Sequence, residues 1–253
     1  MGLRSTVLSA GSPLCGRDAR KTHANQLVRG VPILSLSDVG KRYPLGESYV
    51  DALNGVTLDI DEGEFLAFAG PSGSGKTTLL NLVGCLDVAT SGSIVLDGKE
   101  LSKLSRAELG DIRADNVGFV FQSFNLIPVL SAIENVEVAL RLGGREPSRE
   151  RCANVLEEVG LADQMHKRPS QMSGGQQQRV AIARALVKEP RLVIADEPTA
   201  NLDSKNGEAV LDLMRELNEE QGATFLFSTH DPIVMDRVRR TVRLRDGKVI
   251  GDS

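Results

Sequence analysis

Long apolar runs, closely spaced cysteines and an excess of positive charge are all missing from this 253-residue sequence. No segment approaches the roughly 18 to 20 consecutive apolar residues that cross a bilayer, so the chain is not expected to span a membrane by itself. Cys15, Cys85 and Cys152 form neither a Cys-x-x-Cys nor a Cys/His pattern. Their scatter favours free thiols in a reducing cytosol over disulfides or zinc ligands.

The charged residues are nearly balanced, with 30 Lys and Arg against 34 Asp and Glu and a formal net charge of -4. Nucleic acid attracts proteins that carry a strong basic field, so it is not expected as the main partner. The apolar share of 41% and the charged share of 25% are those of a globular protein. The length suits one large α/β domain or two small ones.

From residue 33 onward, short apolar runs alternate with helical patterns, which predicts a mostly parallel sheet covered by helices. Residues 131–171 carry no strand pattern and two amphipathic segments, which indicates a helical insertion. We expect an N-terminal extension over residues 1–31, either flexible or a misassigned start, and one domain over 32–253 with its helical part at about 123–172. Strands are predicted at 33–39, 56–60, 64–69, 93–98, 117–121, 191–195, 224–228 and 241–247.

The segment GPSGSGKTT, residues 70–78, lies between a strand pattern and a helical pattern. It matches the phosphate-binding pattern Gly-x-x-x-x-Gly-Lys-[Ser/Thr] in the context which that pattern requires. Its glycines let backbone N–H groups converge on phosphate, where a side chain would obstruct the anion. Lys76 is expected to contact the β- and γ-phosphates, and Thr77 to bind Mg²⁺. The predicted nucleotide-binding residues here are Gly70, Pro71, Ser72, Gly73, Ser74, Gly75, Lys76, Thr77 and Thr78.

Two carboxylates, Asp196 and Glu197, follow the apolar strand pattern RLVIA. Open α/β sheets bind ligands at the carboxyl ends of their strands. Because adjacent strand residues point to opposite sides, the two acids should have different roles. Asp196 suits the binding of Mg²⁺, and Glu197 suits the polarisation of a water that attacks the γ-phosphate.

The segment MSGGQQQRVAIARAL places Ser173 and Gln176 at the spacing of a helix capping box. Gly174 and Gly175 in the first turn cost the helix about 1 kcal/mol each relative to alanine. Two interpretations are open at this point. The segment is either a second helix N-terminus presented to phosphate, or an ordinary cap of poor helical composition.

The same segment resembles the signature of ATP-binding cassette (ABC) ATPases, usually LSGGQ, with Met172 in place of leucine. The resemblance extends from residue 33 to the C-terminus, with the family's motifs in order. It implies the P-loop ABC ATPase fold, with a mostly parallel core sheet, an antiparallel β subdomain and a helical insertion. It also implies a subunit that binds and hydrolyses ATP with Mg²⁺ and drives integral-membrane permease subunits from the cytoplasmic face of the inner (plasma) membrane.

Further residues match the family's motifs one by one. Tyr43 resembles the aromatic platform on which adenine stacks, and Gln122 resembles the glutamine that contacts Mg²⁺ and the attacking water. Asp203 resembles the loop that crosses between subunits, and His230 resembles the histidine that contacts the γ-phosphate. Residues 123–128 match the region that receives the membrane partner.

Family members close head to tail as dimers, with each ATP between the phosphate loop of one subunit and the signature of the other. The resemblance therefore implies a homodimer. It also implies that the partner's nucleotide is contacted by Ser173, Gly174, Gly175 and Gln176.

Within the family, VGFVFQSFNLIPVLSAIENVEVAL is most similar to the ATPases of lipoprotein-releasing and macrolide-exporting systems. An amino-acid importer subunit, which shares much of FQSFNL, is one alternative. A non-transport ABC ATPase of cell division or DNA repair is another. A catalytically idle scaffold is disfavoured because Lys76, Glu197 and His230 are all present.

Overall fold

The computed structural model describes residues 31–253, so the predicted N-terminal extension and Cys15 lie outside the described residues, apart from Val31. The strands are β1 (Leu34–Leu45), β2 (Ser48–Ile60), β3 (Phe65–Ala69), β4 (Ser91–Leu96), β5 (Lys99–Glu100), β6 (Val117–Phe121), β7 (Leu192–Asp196), β8 (Thr224–Thr229), β9 (Arg240–Arg245) and β10 (Lys248–Asp252). The α-helices are α1 (Lys76–Val83), α2 (Arg106–Asn116), α3 (Ala132–Leu142), α4 (Arg149–Glu158), α5 (Gly174–Leu186), α6 (Ser204–Gln221) and α7 (Pro232–Met235). Short 3-10 turns lie at Leu101–Lys103, Ala162–Gln164 and Pro169–Gln171.

The larger sheet has six strands in the order β10-β9-β3-β8-β7-β6. All neighbouring pairs are parallel except β10 with β9. Alternate residues of its buried strands enter two separate cores, because side chains of a strand point to opposite faces. Phe65 packs in the core that contains α3 to α6, whereas Leu66 and Phe68 pack in the core that contains α1, α2 and the smaller sheet. The central strands are therefore apolar on both faces.

The smaller sheet is antiparallel, in the order β2-β1-β4-β5. The predictions of 33–39 and 56–60 were too short, because β1 and β2 continue as one long hairpin to the pair Leu45 and Ser48. The outer part of this hairpin is mostly exposed, and the register of β1 with β2 shifts at three places between Leu36 and Arg42. A strand without a buried face and with bulges lacks the regular alternation on which the prediction depended.

The predicted strand 241–247 is in fact the strand β9 followed by a turn, and β10 was not predicted. Asp246 and Gly247 form the turn with φ of 49° and 73°. This Asp-Gly pair between two strands is a strong hairpin signal. The predicted fold class is otherwise confirmed, since a mostly parallel core sheet, an antiparallel β sheet and a helical insertion are all present.

Candidate functional site

A cavity of about 790 Å³ opens at the carboxyl ends of β3, β6, β7 and β8. It brings together most of the predicted site residues from five separate parts of the chain. The predicted residues that line it are Tyr43, Pro71, Ser72, Gly73, Ser74, Gly75, Lys76, Thr77, Thr78, Gln122, Asp196, Glu197 and His230. The remaining lining residues, which the sequence did not predict, are Val50, Asp51, Ala52 and Ser228.

The phosphate loop connects β3 to α1, which begins at Lys76. Only 8% of Lys76 is exposed, and its ammonium group donates hydrogen bonds to the carbonyl oxygens of Gly70 at 2.7 Å and Pro71 at 3.0 Å. The charge is thus held across the loop rather than directed into bulk solvent. An anion in the cavity meets this cation together with the free N–H groups of the first turn of α1.

Two of the loop glycines, Gly70 and Gly75, are required by the protein's own packing. A Cβ on Gly70 would lie 2.2 Å from the carbonyl oxygen of Leu244, and one on Gly75 would lie 2.6 Å from that of Ala52. Gly75 also has a φ of 101°, which L-residues rarely adopt. Gly247, in the β9–β10 turn, donates its N–H to the carbonyl oxygen of Ser74 at 3.1 Å. The C-terminal hairpin therefore supports the outer side of the loop.

Glu197 and His230 form a direct contact at the mouth of the cavity. The Nδ1 atom of His230 lies 2.8 Å from Oε1 of Glu197, and the side chains are 69% and 26% exposed, respectively. Glu197 has a φ of 47° and donates its N–H to the carbonyl oxygen of Ser228 at 3.0 Å. This left-handed conformation turns its side chain away from the β direction of Asp196. Both acids line the cavity. The strand alternation from which different roles were predicted does not extend to Glu197, because β7 ends at Asp196 and Glu197 is left-handed.

Gln122 directly follows β6 and is exposed. The backbone carbonyl oxygen of Gln122 accepts a hydrogen bond of 3.0 Å from the side-chain amide of Asn201. The parallel register aligns Phe121 with Asp196 and Asp196 with Ser228. Gln122, Glu197 and the end of β8 therefore form one row along the sheet edge.

The signature segment forms the predicted capping box. The N–H of Gln176 donates to Oγ of Ser173 at 3.3 Å, and the N–H of Ser173 donates to Oε1 of Gln176 at 2.9 Å. A Cβ on Gly175 would lie 2.9 Å from Oδ1 of Asn206, so close packing against α6 accounts for this glycine. Gly174 faces Leu202 more loosely.

Asp203 is the N-cap residue of α6. Its carboxylate accepts hydrogen bonds from the backbone and the side chain of Asn206, at 2.9 and 2.6 Å. Both hydrogen bonds lower the pKa of Asp203, and the bond from the backbone N–H has the larger effect. Neither Asp203 nor residues 173–176 line the nucleotide-sized cavity. The signature and the phosphate loop are thus on different parts of one chain.

A second groove, of about 550 Å³, lies between α2, β6, α3 and α5. Asn125 and Ile127, from the predicted partner-binding segment 123–128, line it, as does Leu142, which is 81% exposed. The side chain of Arg184 donates to the carbonyl oxygens of Phe124 and Asn125. The segment that leaves the first cavity therefore continues into an open, largely apolar groove, whose lining also includes Arg113, Arg184 and Lys188.

The unpredicted cavity residues come mainly from the β1–β2 hairpin. Asp51 pairs with Arg42, whose guanidinium hydrogen bond lowers the pKa of Asp51. Val50 and Ala52 reach the cavity because β2 continues beyond its buried part. A longer hairpin prediction would have found all three, whereas Ser228 follows from the position of β8 beside β7.

Comparison with known proteins decides the family. The ABC transporter family model matches residues 53–200. The chain belongs to the ABC transporter family. It is an ATP-binding subunit of that family and an ATPase. Among residues 31–253, no helix combines the length and apolarity needed to cross a membrane.

Individual relatives agree with this assignment. An uncharacterized ABC transporter ATP-binding protein of Thermotoga maritima is 49% identical over 222 residues, which are 87% of this chain and 94% of that protein. A macrolide export ATP-binding/permease protein MacB of Brucella melitensis is 47% identical over 226 residues, which are 88% of this chain and 35% of MacB. The chain thus spans about a third of the MacB relatives it matches.

A solved structure has the same fold. It is a dimeric post-hydrolysis state of the ATP-binding cassette MJ0796 bound to ADP and Pi. It is 46% identical to this chain, with a TM-score of 0.79, and the match covers 87% of this chain and 97% of that one.

Proposed function

We propose that two copies of this ABC ATPase enclose two ATP molecules and so drive a membrane permease. The observation that carries the proposal is the separation of the two anion sites. The phosphate loop and the catalytic acids line one cavity, whereas residues 173–176 lie outside it. An ATP that contacts both kinds of site therefore requires a second copy of the chain. The related cassette with ADP and Pi is dimeric.

Within the cavity, Lys76 and the N–H groups of the phosphate loop bind the phosphates, and Tyr43 stacks on the adenine. The oxygens of Thr77, Gln122 and Asp196 lie around one cavity and suit Mg²⁺, which takes few protein ligands beside substrate phosphates. When bound there, Mg²⁺ neutralises charge on the β- and γ-phosphate oxygens. These residues, with Pro71, Ser72, Ser74 and Thr78, remain our proposed nucleotide site.

Glu197 is the proposed general base. Its carboxylate is partly exposed in the cavity, where it can accept a proton from a water that attacks the γ-phosphate. His230 contacts that carboxylate at 2.8 Å and is itself available to the γ-phosphate. Hydrolysis then removes the phosphate that both subunits bind. The closed dimer loses stability because ATP can favour it only through its differential affinity.

The substitution Glu197→Gln tests this mechanism. The amide keeps the shape of the side chain but does not accept a proton, so ATP should bind, hydrolysis should stop and a closed dimer should accumulate. Light scattering after gel filtration with Mg²⁺ and ATP measures the dimer, and phosphate release measures hydrolysis. Glu216→Gln, on the exposed face of α6, is the matched control and should behave as wild type. Normal turnover in the Glu197→Gln variant, or a protein that stays monomeric, would contradict the proposal.

The partner is proposed to be a permease of the macrolide-export or lipoprotein-release type, bound at the cytoplasmic face of the membrane. Support comes from the MacB relatives, whose names join an ATP-binding part to a permease in one protein. The apolar groove beside residues 123–128 is the proposed docking surface for a cytoplasmic helix of the permease. In this proposal, residues 32–253 are the catalytic domain, residues about 123–172 its helical part and residues 1–31 a separate extension.

Leu142→Asp tests the docking surface. The added carboxylate should weaken co-purification of a polytopic membrane protein from detergent-solubilised membranes. It would have to lose its hydration when a permease helix covers the groove, which costs free energy. Ile250→Asp, at a residue 61% exposed on β10, is the matched control. Capture of the same permease in equal amount by both variants would exclude the groove, whereas the ATPase activity of the isolated Leu142→Asp variant should be unchanged.

A further inference from the structure

Behind Tyr43 lies a compact polar cluster that the proposed mechanism does not use. The phenol hydroxyl of Tyr43 donates to Oδ2 of Asp87 at 2.8 Å. The ammonium group of Lys41 donates to Oδ1 of Asp87 at 2.7 Å and lies 4.8 Å from the centre of the Tyr43 ring. One carboxylate thus holds the end of the ring, and one cation lies over its face.

The cluster adjoins the cavity through Tyr43 alone. Tyr43 lines the cavity, but Lys41 and Asp87 do not. The side chain of Lys41 is only 11% exposed. Because Lys41 occupies one face of the ring, the other face is left for stacking with a planar base.

The segment that carries Asp87 is bound firmly to both α1 and β1. The N–H of Asp87 donates to the carbonyl oxygen of Asn81 in α1 at 3.2 Å. The carbonyl oxygen of Val88 accepts a hydrogen bond of 2.8 Å from the ammonium group of Lys41. The N–H of Thr90 donates to the carbonyl oxygen of Gly40 at 2.8 Å. The ring is therefore connected to the C-terminal end of the helix whose N-terminal end forms the phosphate site.

We propose that Asp87 is a positioning residue, which holds the Tyr43 ring at a fixed place relative to the phosphate loop so that base and phosphates bind together. Lys41 completes this device by fixing the carboxylate and covering the rear face of the ring. The inference rests on the proposed role of Tyr43 as the base platform. Without the cluster, the side chain of Tyr43 must be ordered during binding, and the base contributes less to affinity.

The test compares ADP with inorganic pyrophosphate, two ligands that share the phosphates but differ in the base. Calorimetry on the full chain with Mg²⁺ measures both dissociation constants without hydrolysis. Asp87→Ala should weaken ADP binding by roughly three- to tenfold, the cost of ordering one side chain, and leave pyrophosphate binding unchanged. Asp97→Ala, at another carboxylate with a cationic partner, here Arg191, is the control and should alter neither.

Two further variants separate the possible failures. Tyr43→Phe keeps the ring but loses the bond to Asp87, so its effect on ADP binding should not add to that of Asp87→Ala. If Asp87→Ala weakens both ligands equally, or neither, the inference is wrong. If Tyr43→Ala leaves ADP affinity unchanged, the base platform itself is wrong. A loss with Tyr43→Ala but none with Asp87→Ala overturns the positioning role alone.

Discussion

At the scale of single residues, Glu197 shows how a strained conformation is maintained at the proposed general base. A non-glycine residue with positive φ is unfavourable by about 1–3 kcal/mol and persists only when its surroundings fix it. Here the N–H of Glu197 is bound to Ser228, and the next residue, Pro198, accepts a buried hydrogen bond of 2.8 Å from Gln178. These two hydrogen bonds maintain the strained conformation of Glu197 and so keep its carboxylate in the cavity.

The two described cysteines provide a prediction at this scale. Burial raises the pKa of Cys85 and of Cys152 to about 11. Since the thiolate is the reactive form, iodoacetamide at pH 8 should modify both thiols far more slowly in the folded protein than in the unfolded protein. Mass spectrometry of the labelled peptides assigns each site.

The same shift has a consequence for stability. The pKa of each thiol in the folded protein is above the ordinary value of 9.0, so the thiols contribute stability that is fully present below pH 9 and is lost as the pH rises to about 11. In the Cys85→Ala/Cys152→Ala variant, the free energy of unfolding should fall less steeply over that range. Rapid labelling of both thiols in the folded protein would contradict their burial. So would an identical slope of the free energy of unfolding against pH in the variant.

At the scale of elements, α5 connects several parts of the site. Its first turn carries the signature, its residue Gln178 binds the turn after Glu197, and Arg184 binds the carbonyl oxygens after Gln122. Gln178 is fully buried, and its Oε1 atom has no protein partner among the described residues. One helix therefore fixes the turn after Glu197 and the proposed docking segment relative to each other.

Gln178→Leu should separate these roles. Loss of the donor leaves the Pro198 carbonyl unpaired, which should reduce the free energy of unfolding by about 1–3 kcal/mol and lower kcat several-fold because Glu197 loses its fixed position. ADP affinity should remain as in wild type, since the phosphate loop is untouched. Gln221→Leu, which removes an exposed bond to Glu158, is the control. Unchanged kcat in a destabilised Gln178→Leu variant would limit the residue to a structural role.

The elements also show what the sequence could predict. The phosphate loop, the acids at the carboxyl end of β7 and the Ser173 cap could be predicted because each depends on neighbours within a few residues. The strands that form the β1–β2 hairpin were predicted too short, and their cavity residues were missed, because the outer part of the hairpin has no buried face to impose alternation. The need for glycine at position 70 depends on the carbonyl of Leu244, a contact from the far end of the chain. Such long-range contacts leave no local pattern.

At the scale of the whole molecule, the incomplete site within one chain is the dominant feature. The cavity contains the phosphate loop, the acids and His230, but not the signature. Each proposed active site therefore takes its parts from two chains. In each proposed site, the phosphate loop, the acids and His230 come from one copy, and the signature comes from the other.

Mixing two inactive variants tests this division. Lys76→Ala removes the phosphate cation, and Ser173→Arg blocks the signature with a large side chain. A dimer of one variant with the other should contain one site that carries both defects and one site that carries neither. Phosphate release should therefore reappear on mixing, whereas each variant alone stays inactive. A mixture as inactive as its components would indicate sites completed within a single chain.

The turn between β9 and β10 has a practical consequence. Gly247 donates to the carbonyl oxygen of Ser74, and Ser253 exchanges backbone bonds with Thr241. A bulky group attached at Ser253 would therefore disturb the hairpin that supports the phosphate loop. Such an attachment should raise the KM for ATP, so kinetic measurements are better made with labels placed elsewhere.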